Sequence, residues 1–341
     1  MKAAVYHAPD DLRYEELPEP TAGPGEVVVR MTRCGLCGTD LAKIRLAKVP
    51  PGTVLGHEIV GEVVEVGAGV GGLAAGDRVV VAHHVPCLAC VFCRHENYSL
   101  CPAFKATNVE PGGFAERLRV LPASVERGVF RVPDEMTDEE ALFAEPVACC
   151  IRGMRRAGIQ PGDAVAILGC GPIGLTHVQL SRRFGAGRVI GVDPIASRAR
   201  RAEALGADAG IAADGLDPVR AVREATGGLG PDVVLNTVGR PEAYEQAFAM
   251  VRPGGHVVFF AQCPPGSRLA LDPDVFARNE VTVVGSYSPG PDDLPRALEM
   301  IRQRQVEVAS LISHRIPLAR LAEAVCLAGS AIASLKIVLV P

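Results

Sequence analysis

No stretch of this chain is both long and apolar. Glycine, proline or a charged residue interrupts each hydrophobic run before it reaches the length of a membrane span. The first residues, MKAAVYHAPDDLRYEEL, lack the apolar segment of a signal peptide. There is no basic tract of the kind that grips nucleic acid, no block of like charge that would mark a disordered tail, and the formal net charge is only −4. No internal repeat or low-complexity linker is visible. Tryptophan is missing, and lysine occurs only at positions 2, 43, 48, 105 and 336, so arginine carries nearly all the positive charge. These absences leave the expectation of a soluble, cytoplasmic chain with neither a nucleic-acid nor a membrane partner.

What is present is a chain of 341 residues, long enough for two domains, with 48% apolar residues to fill their cores. It also has eleven cysteines, an odd and clustered set that suits metal binding better than a disulfide framework. Four of them, Cys87, Cys90, Cys93 and Cys101, follow a C-x2-C-x2-C-x7-C spacing. Four thiolates within so short a segment can close around one tetrahedral Zn²⁺. The surrounding sequence has no periodicity, so a metal would have to replace a missing core. An iron–sulfur cluster is the rival occupant. Cys101-Pro102 offers it slight support, and the lack of a repeated Cys-Pro pattern argues against it.

A second candidate metal site lies in the stretch Arg33 to Gly61, RCGLCGTDLAKIRLAKVPPGTVLGHEIVG. A thiol (Cys37), a hydroxyl (Thr39), a carboxylate (Asp40) and the adjacent pair His57 and Glu58 stand among glycines. Thiolate, imidazole and carboxylate form the ligand set of a catalytic zinc, and the glycines would let the backbone turn tightly beside an ion. Two buried residues without a ligand are the plainer alternative. Glu145 sits in an apolar run, FAEPVACC, and so needs a partner. Arg152 is one candidate; a metal, contacted directly or through a neighbouring ligand, is the other.

The first third of the chain reads as short strands with glycine-rich corners, which predicts a barrel-like β domain. DEMTDEEALFAEPVACCIRGMRRAG reads as one helix, with Thr137 and Glu140 forming a capping box. From Asp163 the pattern changes to alternating apolar strands and helices, the signature of a doubly wound parallel sheet. Its first turn, GCGPIG, places Gly169, Gly171 and Gly174 as G-x-G-x-x-G between a strand and a helix, with Pro172 and Ile173 opening that helix. Asp193 ends the next strand. This context predicts a dinucleotide whose pyrophosphate lies at the helix N-terminus and whose ribose hydroxyls bind Asp193. A 2′-phosphate would meet that negative charge, so NAD is favoured over NADP, although Arg198, Arg200 and Arg201 temper the preference. Thr237 and Val238 end a later strand, where such sheets bind ligands.

Taken together, GLCGTD at 35–40, GHE at 56–58, the four-cysteine lobe, EP at 145–146 and GCGPIG at 169–174 resemble the zinc-containing medium-chain dehydrogenase/reductase family. The likeness covers the whole chain. Glu145-Pro146 points to the polyol (sorbitol-like) and threonine dehydrogenase branch. The resemblance implies an α/β protein, a GroES-like β-barrel catalytic domain (1–150, with the zinc lobe at about 86–102) interrupted by a Rossmann domain (151–287) and completed by residues 288–341. It implies two Zn²⁺ per chain. Cys37, His57 and Glu145 would contact the catalytic ion, Glu58 would exchange onto it or stand behind it, and Cys87, Cys90, Cys93 and Cys101 would hold the structural one. Asp40 would orient His57, and Thr39 would take the substrate proton. Gly169, Gly171, Pro172, Ile173, Gly174, Asp193, Arg198, Thr237 and Val238 would bind NAD in a homodimer or homotetramer.

The implied reaction is the zinc-dependent, NAD-linked, reversible oxidation of a secondary alcohol, a polyol, cyclitol or sugar-derived one, to the ketone by hydride transfer. Threonine, another amino alcohol or 2,3-butanediol are alternative substrates, and a non-catalytic NAD- and zinc-binding sensor is a remote one. An amino alcohol would need charged partners, for which His83, His84, Glu116 and Arg117 are candidates. Two departures from the family pattern stand out. Ala42 replaces the histidine that often ends a proton relay, leaving Lys43, Glu58 or water to substitute. Leu88 and His95-Glu96 replace glycines of the structural lobe, which predicts a locally different loop.

Overall fold

A computed structural model gives the fold for residues 1–330 and 332–341. The chain forms two units, one built from Met1–Pro146, Pro289–Arg304 and Val308–Pro341, the other from Val147–Ser288 and Gln305–Glu307. The first boundary falls a few residues before the one expected at 150. Among the described residues no helix is long and apolar enough to cross a membrane.

The first unit is organised by the strand Val27–Leu36. Val27, Val29 and Met31 are fully buried, and a register shift between Met31 and Arg33 then turns Cys34 inward as well. Such a bulge re-aims side chains beside a functional site. Along one side this strand pairs antiparallel with Glu58–Val66; along the other it pairs with Arg117–Val120 and, at its far end, with the terminal strand Lys336–Val340. Arg78–Val81 and Val129–Arg131 extend the curled sheet on one flank, and Ile312–Pro317 lies parallel to the terminal strand on the other. Its core gathers Met31, Ile44, Phe114, Leu118 and Leu339. A three-stranded sheet of Asp11–Glu16, Lys2–Ala8 and Thr53–Val54 stands beside it.

The second unit is a six-stranded parallel sheet. Its order is Ala209–Ala212, Arg188–Asp193, Ala164–Leu168, Val233–Asn236, His256–Phe259, Thr282–Gly285. The order reverses at Ala164–Leu168, so the crevice beyond that strand is where a doubly wound sheet takes its ligand.

The expected single helix over 134–158 is two, Asp138–Ala141 and Ala144–Ala157. Thr137 and Glu140 do form a reciprocal capping box on the first. Pro146 cannot accept a place in the interior of a continuous helix, where it would remove a hydrogen bond and clash with the preceding turn; the chain restarts just before it.

Candidate metal centres and dinucleotide site

Cys37 caps the helix Gly38–Arg45, and its sulfur accepts the Thr39 N–H at 3.5 Å. The carboxylate of Asp40, fully buried, accepts from the Cys37 N–H at 3.1 Å, from Gly56 N–H at 3.4 Å and from His57 Nδ1–H at 3.2 Å. Burial alone would raise the pKa of Asp40, but the charge and hydrogen bond of His57 and the Cys37 N–H outweigh it and hold it below the usual carboxylate range. Burial alone would likewise push His57 down, but Asp40 and Cys37 outweigh it and hold its pKa well above the ordinary value. With Nδ1 donating to Asp40, Nε2 is the nitrogen left for a metal. One donor atom each from Cys37, His57 and Glu58 lies within 4.8 Å of the others. The donor set suits zinc.

Glu58, buried, is gripped from behind. Its Oε2 forms an ion pair with Lys336 Nζ, which also donates to Leu36 O at 3.3 Å. Gly35 makes this pair possible: a Cβ there would stand 1.8 Å from Glu58 Oε2 and 2.9 Å from Lys336 Cε. That glycine clears space rather than turning the backbone. Gly56, at φ +90, does turn it, and brings His57 onto the site. Glu145 lies outside the group of Cys37, His57 and Glu58; its charge acts on Lys336. Lys336 escaped the sequence reading. The available signal was a lone lysine inside the apolar terminal run SLKIVLV, a buried charge that must find a partner.

The ring of His83 stands 5.0 Å from that of His57, centroid to centroid, and 4.1 Å from that of His84. His84 is committed, its Nδ1–H donating to Thr107 O. Glu116 and Arg117 belong elsewhere: Glu116 accepts from the Lys2 N–H and the Tyr14 hydroxyl, and Arg117 pairs with Glu19.

In the lobe, the sulfurs of Cys87 and Cys101 are 3.5 Å apart, those of Cys90 and Cys93 3.6 Å, and those of Cys87 and Cys93 3.9 Å. Tetrahedral Zn–S bonds of about 2.3 Å require an S–S edge of about 3.8 Å. The cysteines therefore fit one shared ion. A four-iron cube, with each cysteine on its own iron, would spread them further. All four are free of disulfides. The lobe's own apolar cluster is little more than Cys93, Cys101 and Phe104. Burial resists charge on Cys101, yet N–H groups of Cys87 and Phe104 pull its thiol down to about 6. Leu88 (φ 61) and Glu96 (φ 58) adopt the left-handed conformation that glycine takes without strain. The backbone path is thus one suited to glycine, built with L-residues.

In the second unit Gly169 turns at φ +87, and a Cβ on Gly174 would fall 1.7 Å from Gly169 O. Gly171 caps the helix Pro172–Arg183, with Pro172 at its first turn and Ile173 next. Asp193 is buried; its oxygens accept N–H bonds from Cys170 and Ile195, both at 2.8 Å, which fixes the carboxylate at the sheet's edge. The Arg198 guanidinium approaches Gly171, its Nη1 lying 3.8 Å from where a Cβ would be. Thr237 spends its hydroxyl on Leu168 O and Gly169 O, at 2.8 and 3.0 Å, and Val238 packs beside Gly169. Both hold the glycine turn in place. These residues fit a dinucleotide: an open helix N-terminus, a glycine approach and an oriented carboxylate.

Residues 23–134 match the alcohol dehydrogenase GroES-like domain, and residues 172–303 the zinc-binding dehydrogenase domain. Sorbitol dehydrogenase of Bacillus subtilis is 32% identical over 325 residues, 93% of this chain and 90% of the relative. Erythritol/L-threitol dehydrogenase of Mycolicibacterium smegmatis is 33% identical across 100% of this chain and 98% of its own length. A protein of Sinorhizobium meliloti 1021, classed as a zinc-binding dehydrogenase and solved with NADP, superimposes with a TM-score of 0.90 at 31% identity, covering 100% of this chain and 99% of that one. The chain belongs to the zinc-binding alcohol dehydrogenase family and is an oxidoreductase. Within that family its relatives place it in the polyol-like branch.

Proposed function

We propose that this enzyme oxidises a secondary alcohol of a polyol or sugar-derived substrate to the ketone. The balance is R₂CHOH + NAD⁺ → R₂C=O + NADH + H⁺, and the reaction is reversible. Zinc held by Cys37 and His57, when bound, would acidify the substrate hydroxyl, and the nicotinamide would accept the hydride.

The chain's own residues do the rest. Among the described residues the Thr39 hydroxyl has no protein hydrogen-bond partner, and it stands two residues beyond Cys37. It would take the proton of the substrate hydroxyl. Asp40 fixes the tautomer and orientation of His57. Lys336 holds Glu58 at the edge of the site, available to exchange onto the ion or to stand behind it. Glu145, which lies outside the group of Cys37, His57 and Glu58, would reach the ion through water. Cys87, Cys90, Cys93 and Cys101 hold the second zinc. Gly169, Gly171, Gly174 and Asp193 bind the cofactor, with NAD preferred because Asp193 repels a 2′-phosphate.

The observation that carries this reading is the convergence of Cys37, His57 and Glu58 beside an uncommitted Thr39 hydroxyl. The test is NADH formation with D-sorbitol, galactitol, erythritol, 2,3-butanediol and L-threonine. Turnover should require a secondary alcohol, fall at least about 10³-fold in Cys37→Ser and leave NADH binding intact. Undiminished turnover in that variant would overturn the reading. An amino-alcohol substrate has less support, since Glu116 and Arg117 are occupied elsewhere.

We also read the enzyme as a cytoplasmic homo-oligomer, a dimer or tetramer. The edge strand Thr282–Gly285, with Val283 exposed, offers an unpaired ladder to a second copy.

A further inference from the structure

Most charges near Cys37 and His57 are matched. Asp40 is spent on three donors, and Glu58 is matched by Lys336. Lys43 is different. It lies on the helix Gly38–Arg45, four residues after Thr39 and three after Asp40, so it shares their face. It is half-buried, and among the described residues its ammonium makes no ion pair or hydrogen bond. Its charge acts on Asp40, His83 and His84.

His83 arrives from another segment, just past the strand Arg78–Val81, with its ring against His57. It too is half-buried and has no hydrogen-bond partner among the described residues. Its ring nitrogens can donate or accept a hydrogen bond. One unmatched cation and one uncommitted imidazole therefore stand beside the metal centre. A neutral polyol would leave that ammonium unmatched in a site it has already half-desolvated.

We infer that the substrate carries an anionic group on its polyol chain, a phosphate monoester or a carboxylate, and that Lys43 selects it with His83 as the accompanying hydrogen-bonding group. This rests on the dehydrogenase reading above and narrows its substrate class.

The test uses the zinc-loaded enzyme with NAD⁺. One set of substrates is D-sorbitol, galactitol and D-arabitol. A second is their terminal phosphate esters, and a third the aldonates D-gluconate and D-galactonate, which separates phosphate from carboxylate. In the wild type kcat/KM for one anionic set should exceed that for the neutral set about 100-fold, with most of the gain in KM, as a charge-assisted contact made in both ground and transition states requires. Lys43→Met should collapse that ratio toward one, and Lys43→Arg should keep most of it. His83→Phe should lower it in part. Zinc content and thermal unfolding of each variant check that it is folded. Neutral polyols oxidised as well as their anionic counterparts would overturn this inference and leave the dehydrogenase reading standing. A Lys43→Met variant with an unchanged ratio would also overturn it. Failure of every alcohol in all three sets would overturn both.

Discussion

The two cysteine-bearing sites of the first unit are built on opposite plans. The lobe at Cys87–Cys101 draws its four sulfurs from fifteen consecutive residues and has almost no apolar core of its own. Remove the ion and little is left to hold it. The centre at Cys37 and His57 draws on a helix cap and the starts of two strands, the second far along the chain. There the sheet and the carboxylate network fix the side chains before any metal arrives. In the first site the metal stands in for the fold; in the second the fold prepares for the metal.

This contrast predicts different responses to damage. Cys101→Ser should have the largest effect on stability, because structural zinc supplies folding free energy directly, about 10–16 kcal/mol in isolated fingers. Protease cleavage between residues 86 and 107 and loss of one zinc would be the signature. A lobe that stays resistant would erase the distinction. Lys336→Met should come next. It leaves Glu58 buried and unpaired, at a cost of about 3–5 kcal/mol, while the lobe zinc stays in place. Urea unfolding together with metal analysis reads both. A stability equal to wild type would mean that the sheet does not depend on the pair.

Acid tests a third buried group. His177, in the second unit, is fully buried, with Nδ1 3.2 Å from Met154 Sδ, and burial lowers its pKa to about 3. The unfolded chain takes up this proton near 6.5, whereas the folded one resists until about 3. Its contribution is therefore complete above the unfolded value and is lost as pH falls between the two. At pH 5 that loss is about 2 kcal/mol. His177→Leu should flatten this part of the stability–pH curve relative to wild type; parallel curves would contradict the assignment. The smallest effect belongs to Leu88→Gly. Relief of a left-handed L-residue, exposed and lightly packed, should stabilise the metal-loaded lobe by about 1 kcal/mol.

The same contrast explains what could be read without coordinates. Cys87 to Cys101 and GCGPIG are local: their function follows from spacing along the chain, and their residues meet because they are neighbours. The fold classes were legible for the same reason, since strand and helix periods are local signals. Lys336 and Gly35 were not, because their roles come from register. Gly35 faces Glu58 across one ladder and Val338 across the other, and nothing in the motif GLCGTD says that a lysine will arrive there. His83 and Lys43 were visible as residues but not as neighbours. Glu145 was legible as a carboxylate in an apolar run, yet its charge acts on Lys336, from outside the group of Cys37, His57 and Glu58.

The central claim is that each chain holds two zinc ions at independent sites, and that the one at Cys37 and His57 does the chemistry. Counting zinc per chain in purified wild-type and Cys37→Ser protein tests it most directly. The account predicts two ions falling to one, with dinucleotide binding and the four-cysteine lobe unchanged. Two ions retained in the variant, or a single ion in the wild type, would contradict it.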